Sequence, residues 1–171
     1  MPSFLVAILV LTFPALVVAA ALRDAMSYTI PNWISAALVV LFPLAALAVG
    51  LPLPAIGLHV GVGVGVLAAG MAMFALRWVG GGDAKLLAAA SLWIGWPALT
   101  GFLLTAALAG GGLAGVLILM RSALFRPLAL MGPPWVARLA EPGEPVPYGV
   151  AICIGALVTL SASPFGAVLG L

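Results

Sequence analysis

Charge is nearly missing from this sequence. Its 171 residues hold four acidic and six basic side chains, 6% charged in all, where an ordinary soluble domain carries about 25%. So few charges cannot cover a water-exposed surface. Cysteine and histidine are scarcer still, with one of each. Cys153, inside an apolar run, can form neither an intramolecular disulfide nor a Cys-x-x-Cys metal site, so no metal and no cofactor are expected. The six cations are scattered and leave a net charge of only +2. That is no basic face, and it excludes nucleic acid as a partner. The strand alternation of a membrane β-barrel is also absent.

What is present is apolar residues, 65% of the chain, with a mean hydropathy of +1.36. They fall in blocks near the ~20 residues that cross a ~30 Å hydrocarbon core as a helix. The blocks are Phe4 to Leu22, Trp33 to Gly50, Ala55 to Leu76, Leu86 to Met120 and Val150 to Leu169. The first has a signal peptide's length but no positive residue before it, and is read as a retained span. The fourth is too long for one helix, and Gly95-Trp96-Pro97 offers a break. Folding it into a hairpin predicts an all-α polytopic membrane protein of about six transmembrane helices, residues 1–171 forming a single domain.

Charge supports the hairpin. With about six spans, Arg23, Arg77, Lys85, Arg121, Arg126 and Arg138 all fall on one side, while the turns at Leu51 to Pro54 and at Trp96-Pro97 carry none. Basic loops face the cytoplasm, which places the charged side there. Gly57, Gly61, Gly65 and Ala69 repeat every four residues and are expected to form a helix-packing seam. Most tryptophans are expected to anchor the helices at the membrane interface, and His59 to be structural. The segment from Arg121 to Pro147 reads as an irregular cytoplasmic loop on the lipid surface.

The four acids are Asp24, Asp83, Glu141 and Glu144. Asp24 and Asp83 stand at the ends of apolar spans, where an ionisable group is a functional candidate. One reading is a pair of interfacial ion pairs, Asp24 with Arg23 and Asp83 with Lys85. In the other, the two intervening spans return the chain to the same side and bring the carboxylates together. Close carboxylates cannot both ionise readily, so one holds a proton while its partner stays charged, as general acid–base hydrolysis requires. A transporter or proton-conducting protein would also use acids, but in mid-span along a polar path.

Gly80-Gly81-Gly82-Asp83 and its continuation to Lys85 resemble the Gly-x-Gly-Asp-x-Lys motif of type IV prepilin peptidases. Asp24, followed by Ile30-Pro31-Asn32, resembles the first catalytic aspartate of that family with its Ile-Pro-Asn signature. Pro147-Tyr148-Gly149 resembles the turn entering the last span. The resemblance implies an intramembrane aspartic endopeptidase of the bacterial inner membrane. Asp24 and Asp83 would be catalytic and would cleave the basic leader from prepilin or pseudopilin precursors at the cytoplasmic face. Gly80, Gly81, Gly82 and Lys85 are then expected on the substrate side, with Glu141 and Glu144 available to the basic leader. The size is similar to the short members that serve tight-adherence (Flp) pili. The paired-cysteine domain of the larger, methylating members is not in this sequence, so methyl transfer is not expected.

Overall fold

The computed structural model describes residues 3–171. In chain order its α-helices are α1 (Ser3–Ser27), α2 (Asn32–Ala48), α3 (Leu53–Ala75), α4 (Gly81–Ile94), α5 (Trp96–Arg121), α6 (Arg126–Leu130), α7 (Pro134–Leu139) and α8 (Tyr148–Thr159). The protein is all-helical and polytopic. Helices α1, α3 and α5 are long and apolar enough to cross a membrane, and α2 and α8 are shorter apolar helices.

The expected hairpin forms where the sequence breaks. Gly95 sits at φ +76° between α4 and α5, a left-handed conformation that glycine adopts without a Cβ penalty. Any Cβ there would also run into the His59 ring. Helix α4 is short because this turn ends it, and it is the hub of the bundle, touching α1, α2, α3, α5 and α8. That position explains its alanines. Ala84, Ala88, Ala89 and Ala90 are buried and let neighbouring backbones come close, the packing mode that replaces the hydrophobic drive inside lipid.

At the uncharged end the core is aromatic. Phe13 stacks on Trp93 at 5.2 Å, and Phe42 stacks on His59 at 5.5 Å. Trp93 Nε1 donates to the Leu38 carbonyl at 2.8 Å, and His59 Nδ1 bonds the Leu92 carbonyl at 2.7 Å. His59 is structural, as expected. Trp93 is fully buried, so it is no interfacial anchor, whereas Trp33, Trp78, Trp96 and Trp135 are exposed.

Three expectations are corrected. The seam of α3 is not Gly57-Gly61-Gly65, whose surroundings are open; Gly63 meets Leu92 and Gly70 meets Ala84 of α4 instead. The last span is shorter than Val150 to Leu169. Its α-helix ends at Thr159, and two 3-10 turns, Leu160–Ala162 and Gly166–Leu169, flank Pro164. A proline disfavours helix at the residue before it, so the chain turns back and buries Phe165 against Trp93. The segment after Arg121 is not wholly irregular, because prolines start α6 and α7 within it.

Candidate active site

Each aspartate lies against the beginning of a helix. Helix α4 starts at Gly80, whose φ of −68° and ψ of 145° make it the N-cap. Asp83 is then the third residue of the helix, and its carboxylate lies back against Gly80. A Cβ on Gly80 would lie 2.7 Å from Asp83 Oδ2, so glycine is what lets the carboxylate fold back.

Asp24 comes from the last turn of α1 and serves a different helix. The N-cap of α8 is Pro147, which has no side chain able to cap. The Gly149 N–H donates instead to Asp24 Oδ2 at 2.7 Å, across 125 residues of sequence. Asp24 is 5% exposed, and this bond satisfies one of its oxygens with a donor at the positive end of a helix dipole. The approach is close enough to demand glycine. A Cβ at 149 would lie 2.9 Å from Asp24 Oδ2, 3.0 Å from Asp24 Cβ and 3.1 Å from Ile30 Cδ1.

Both carboxylates line one cavity of about 660 Å³, open on one side. They are near enough for the Asp24 charge to act on Asp83. Tyr28, Phe74, Arg77, Trp78, Gly80, Val146 and Tyr148 complete most of its wall. Neither aspartate forms the interfacial ion pair considered from sequence. Among the described residues the one salt bridge joins Arg138 to Glu144 at 3.5 Å, and Lys85 Nζ donates to Asn32 Oδ1 at 3.0 Å. No His, Cys, Asp and Glu cluster able to hold a metal occurs among the described residues.

The remaining residues singled out from sequence are dispersed. Gly80 lines the cavity, but Gly81 faces the Phe74 ring and Gly82 packs on Ile30. Lys85 faces α2 rather than the carboxylates. Glu144 is engaged by Arg138, whose guanidinium also lies over the Tyr28 ring at 5.2 Å. Glu141 is exposed and does not line the cavity.

Sequence reasoning placed Gly149 only in the turn entering the last span and Arg77 only among the basic residues of one side, and it gave Tyr28 no role. Tyr28 and Arg77 are the only non-glycine residues with positive φ among those described, at 51° and 62°, and both line the cavity. Each closes a helix. The Tyr28 N–H bonds the Asp24 carbonyl, and at α3 the Arg77 and Trp78 N–H groups bond Phe74 and Met73 in a Schellman arrangement. A sequence signal existed only in the lack of a glycine where each helix had to stop.

Fold and site together define a polytopic membrane protein with two carboxylates in one cavity at the charged end of its bundle. A model of the type IV leader peptidase family matches residues 11–115, which include Asp24, the Ile-Pro-Asn segment and Asp83. The chain belongs to that family. No curated protein and no solved structure matches it.

Proposed function

We propose that the protein is an intramembrane aspartic endopeptidase that removes the leader peptide of type IV, Flp-like prepilins at the cytoplasmic face of the inner membrane. Asp24 and Asp83 are its catalytic pair. The observation that carries this reading is the meeting of both carboxylates in one open cavity, with Asp24 held there by the N-terminus of α8.

The chemistry follows from two carboxyls sharing one proton. The ionised member takes a proton from a water molecule, whose oxygen bonds to the scissile carbonyl carbon. The protonated member gives its proton to the carbonyl oxygen, leaving a neutral gem-diol and an exchanged proton on the pair. Collapse passes the held proton to the amide nitrogen while one gem-diol hydroxyl gives its proton to the ionised carboxylate and re-forms the carbonyl; the C–N bond breaks, an amine and a carboxylic acid leave, and the pair again holds one proton. The Gly149 N–H at the start of α8 fixes Asp24 without taking part in the proton balance.

A prepilin-type substrate brings an apolar helix in the bilayer and a basic leader outside it, so its scissile bond arrives at this end of the bundle. That bond must leave the helix to be attacked, and the cavity gives an extended segment room beside Phe74, Trp78 and Val146. Arginines on the same end as the aspartates favour a cytoplasmic orientation by the positive-inside rule. Purified protein incubated with a prepilin tests the reading through release of the leader. Asp24→Asn and Asp83→Asn should each abolish release while leaving insertion intact, and near-normal turnover by either variant would refute the dyad.

A further inference from the structure

We propose that Ile30-Pro31-Asn32, the link between α1 and α2, is a clamp that sets the separation of the two aspartates. The inference rests on the dyad reading above and assigns the segment a positioning role in it.

The three residues divide the work. Ile30 lies between the two glycines that matter most to the carboxylates. A Cβ on Gly82, the residue before Asp83, would sit 3.3 Å from Ile30 Cβ, and a Cβ on Gly149, whose N–H holds Asp24, would sit 3.1 Å from Ile30 Cδ1. One side chain therefore sets how closely the start of α4 and the start of α8 approach. Pro31 is the N-cap of α2, at φ −62° and ψ 133°. Its ring fixes the extended backbone on which Ile30 and Asn32 point in different directions. Asn32 Oδ1 accepts from Lys85 Nζ at 3.0 Å.

Lys85 follows Asp83 by two residues, about 200° away around the helix. The first turn of α4 is thus held on one side by α2 while Asp83 is presented to the cavity on the other. None of the three link residues lines the cavity that holds the aspartates, so their effect on the pair is one of position; Asn32 and Lys85 line a separate apolar groove between α2, α3 and α4.

Spacing has a kinetic signature distinct from stability. A shared-proton pair works between its two macroscopic ionisations, and the width of that window reflects the repulsion between the carboxylates. For unit charges about 5 Å apart at an effective dielectric of about 20, each further ångström narrows the window by roughly 0.4 pH unit. The other ionisable groups facing the cavity, Tyr28, Arg77 and Tyr148, are unchanged in the variants below, and their contributions cancel in the comparison. The same holds for Arg23, beside Asp24, and for Arg121, Arg138 and Glu144, which face Tyr28.

The test is the pH profile of kcat/KM for leader removal by wild type, Asn32→Leu and Asn32→Gln. Leucine keeps the branched outline and loses the acceptor, whereas glutamine keeps a neutral acceptor for the flexible Lys85 side chain, and neither changes a charge. The expected result is a profile narrowed by about 0.4 pH unit or more in Asn32→Leu and a width within error of wild type in Asn32→Gln. A lower rate at unchanged or greater width in Asn32→Leu would overturn the clamp and leave the contact a structural one. Should Asn32→Leu not fold, Asn32→Ala removes the same acceptor with no change of charge, with the same two outcomes. Wild-type cleavage is measured in the same series, so its absence would sink the peptidase reading, while its presence with invariant widths would sink only the clamp.

Discussion

Gly149→Ala adds one methyl group at the point where three elements meet. The new Cβ would stand 2.9 Å from Asp24 Oδ2, 3.0 Å from Asp24 Cβ and 3.1 Å from Ile30 Cδ1, all short of ordinary van der Waals contact. The α8 backbone cannot retreat easily, because Gly110 of α5 already packs against Tyr148 and Ala151. Asp24 must therefore shift by several tenths of an ångström, stretching its 2.7 Å bond to the Gly149 N–H. Overpacking of this kind costs about 1–3 kcal/mol. A catalytic group displaced by about 1 Å can lose about 100-fold in rate, so a shift of part of that distance should lower kcat about 10-fold or more, with KM less affected. The assay is single-turnover leader cleavage in detergent or bilayer discs, with thermal unfolding measured alongside. Gly111→Ala is the control, since nothing lies within 4 Å of a Cβ there and alanine favours the helix. Wild-type turnover in Gly149→Ala would mean that the α8 bond to Asp24 has no part in catalysis.

Two further outcomes bear on topology and backbone strain. Reporters fused after Arg23, Trp78 and Arg126 should read cytoplasmic and one after Leu51 external, and an external signal after Arg126 would break the hairpin at Gly95. Arg77 occupies a left-handed position at the end of α3 that costs a non-glycine residue about 1–2 kcal/mol. Arg77→Gly should therefore raise the unfolding midpoint, and a lowered midpoint would show that the guanidinium contributes more to stability than the strain removes.

The membrane class and most helix boundaries were legible because they depend on local quantities. Apolar run length sets a span, and Gly95 before Trp96-Pro97 is a helix stop whatever surrounds it. The last helix was misjudged where hydropathy and backbone disagreed: Val150 to Leu169 is apolar throughout, yet Pro164 ends the span early. The α3 stripe was misjudged because a run of small residues permits close packing without saying which face is used, and α4 settled on Gly63 and Gly70.

By itself the sequence determined the two candidate aspartates and the side they share, since both lie at span ends and two spans return the chain to where it began. It could not determine what holds them. Asp24 is fixed by an N–H 125 residues away, and the Asn32 acceptor is matched to Lys85 over 53. Such bonds depend on which helix ends the bundle brings within about 3 Å. Pro147 leaves α8 without a cap of its own, Gly149 leaves room for a carboxylate, and only the packing of α1 against α8 puts Asp24 into that gap.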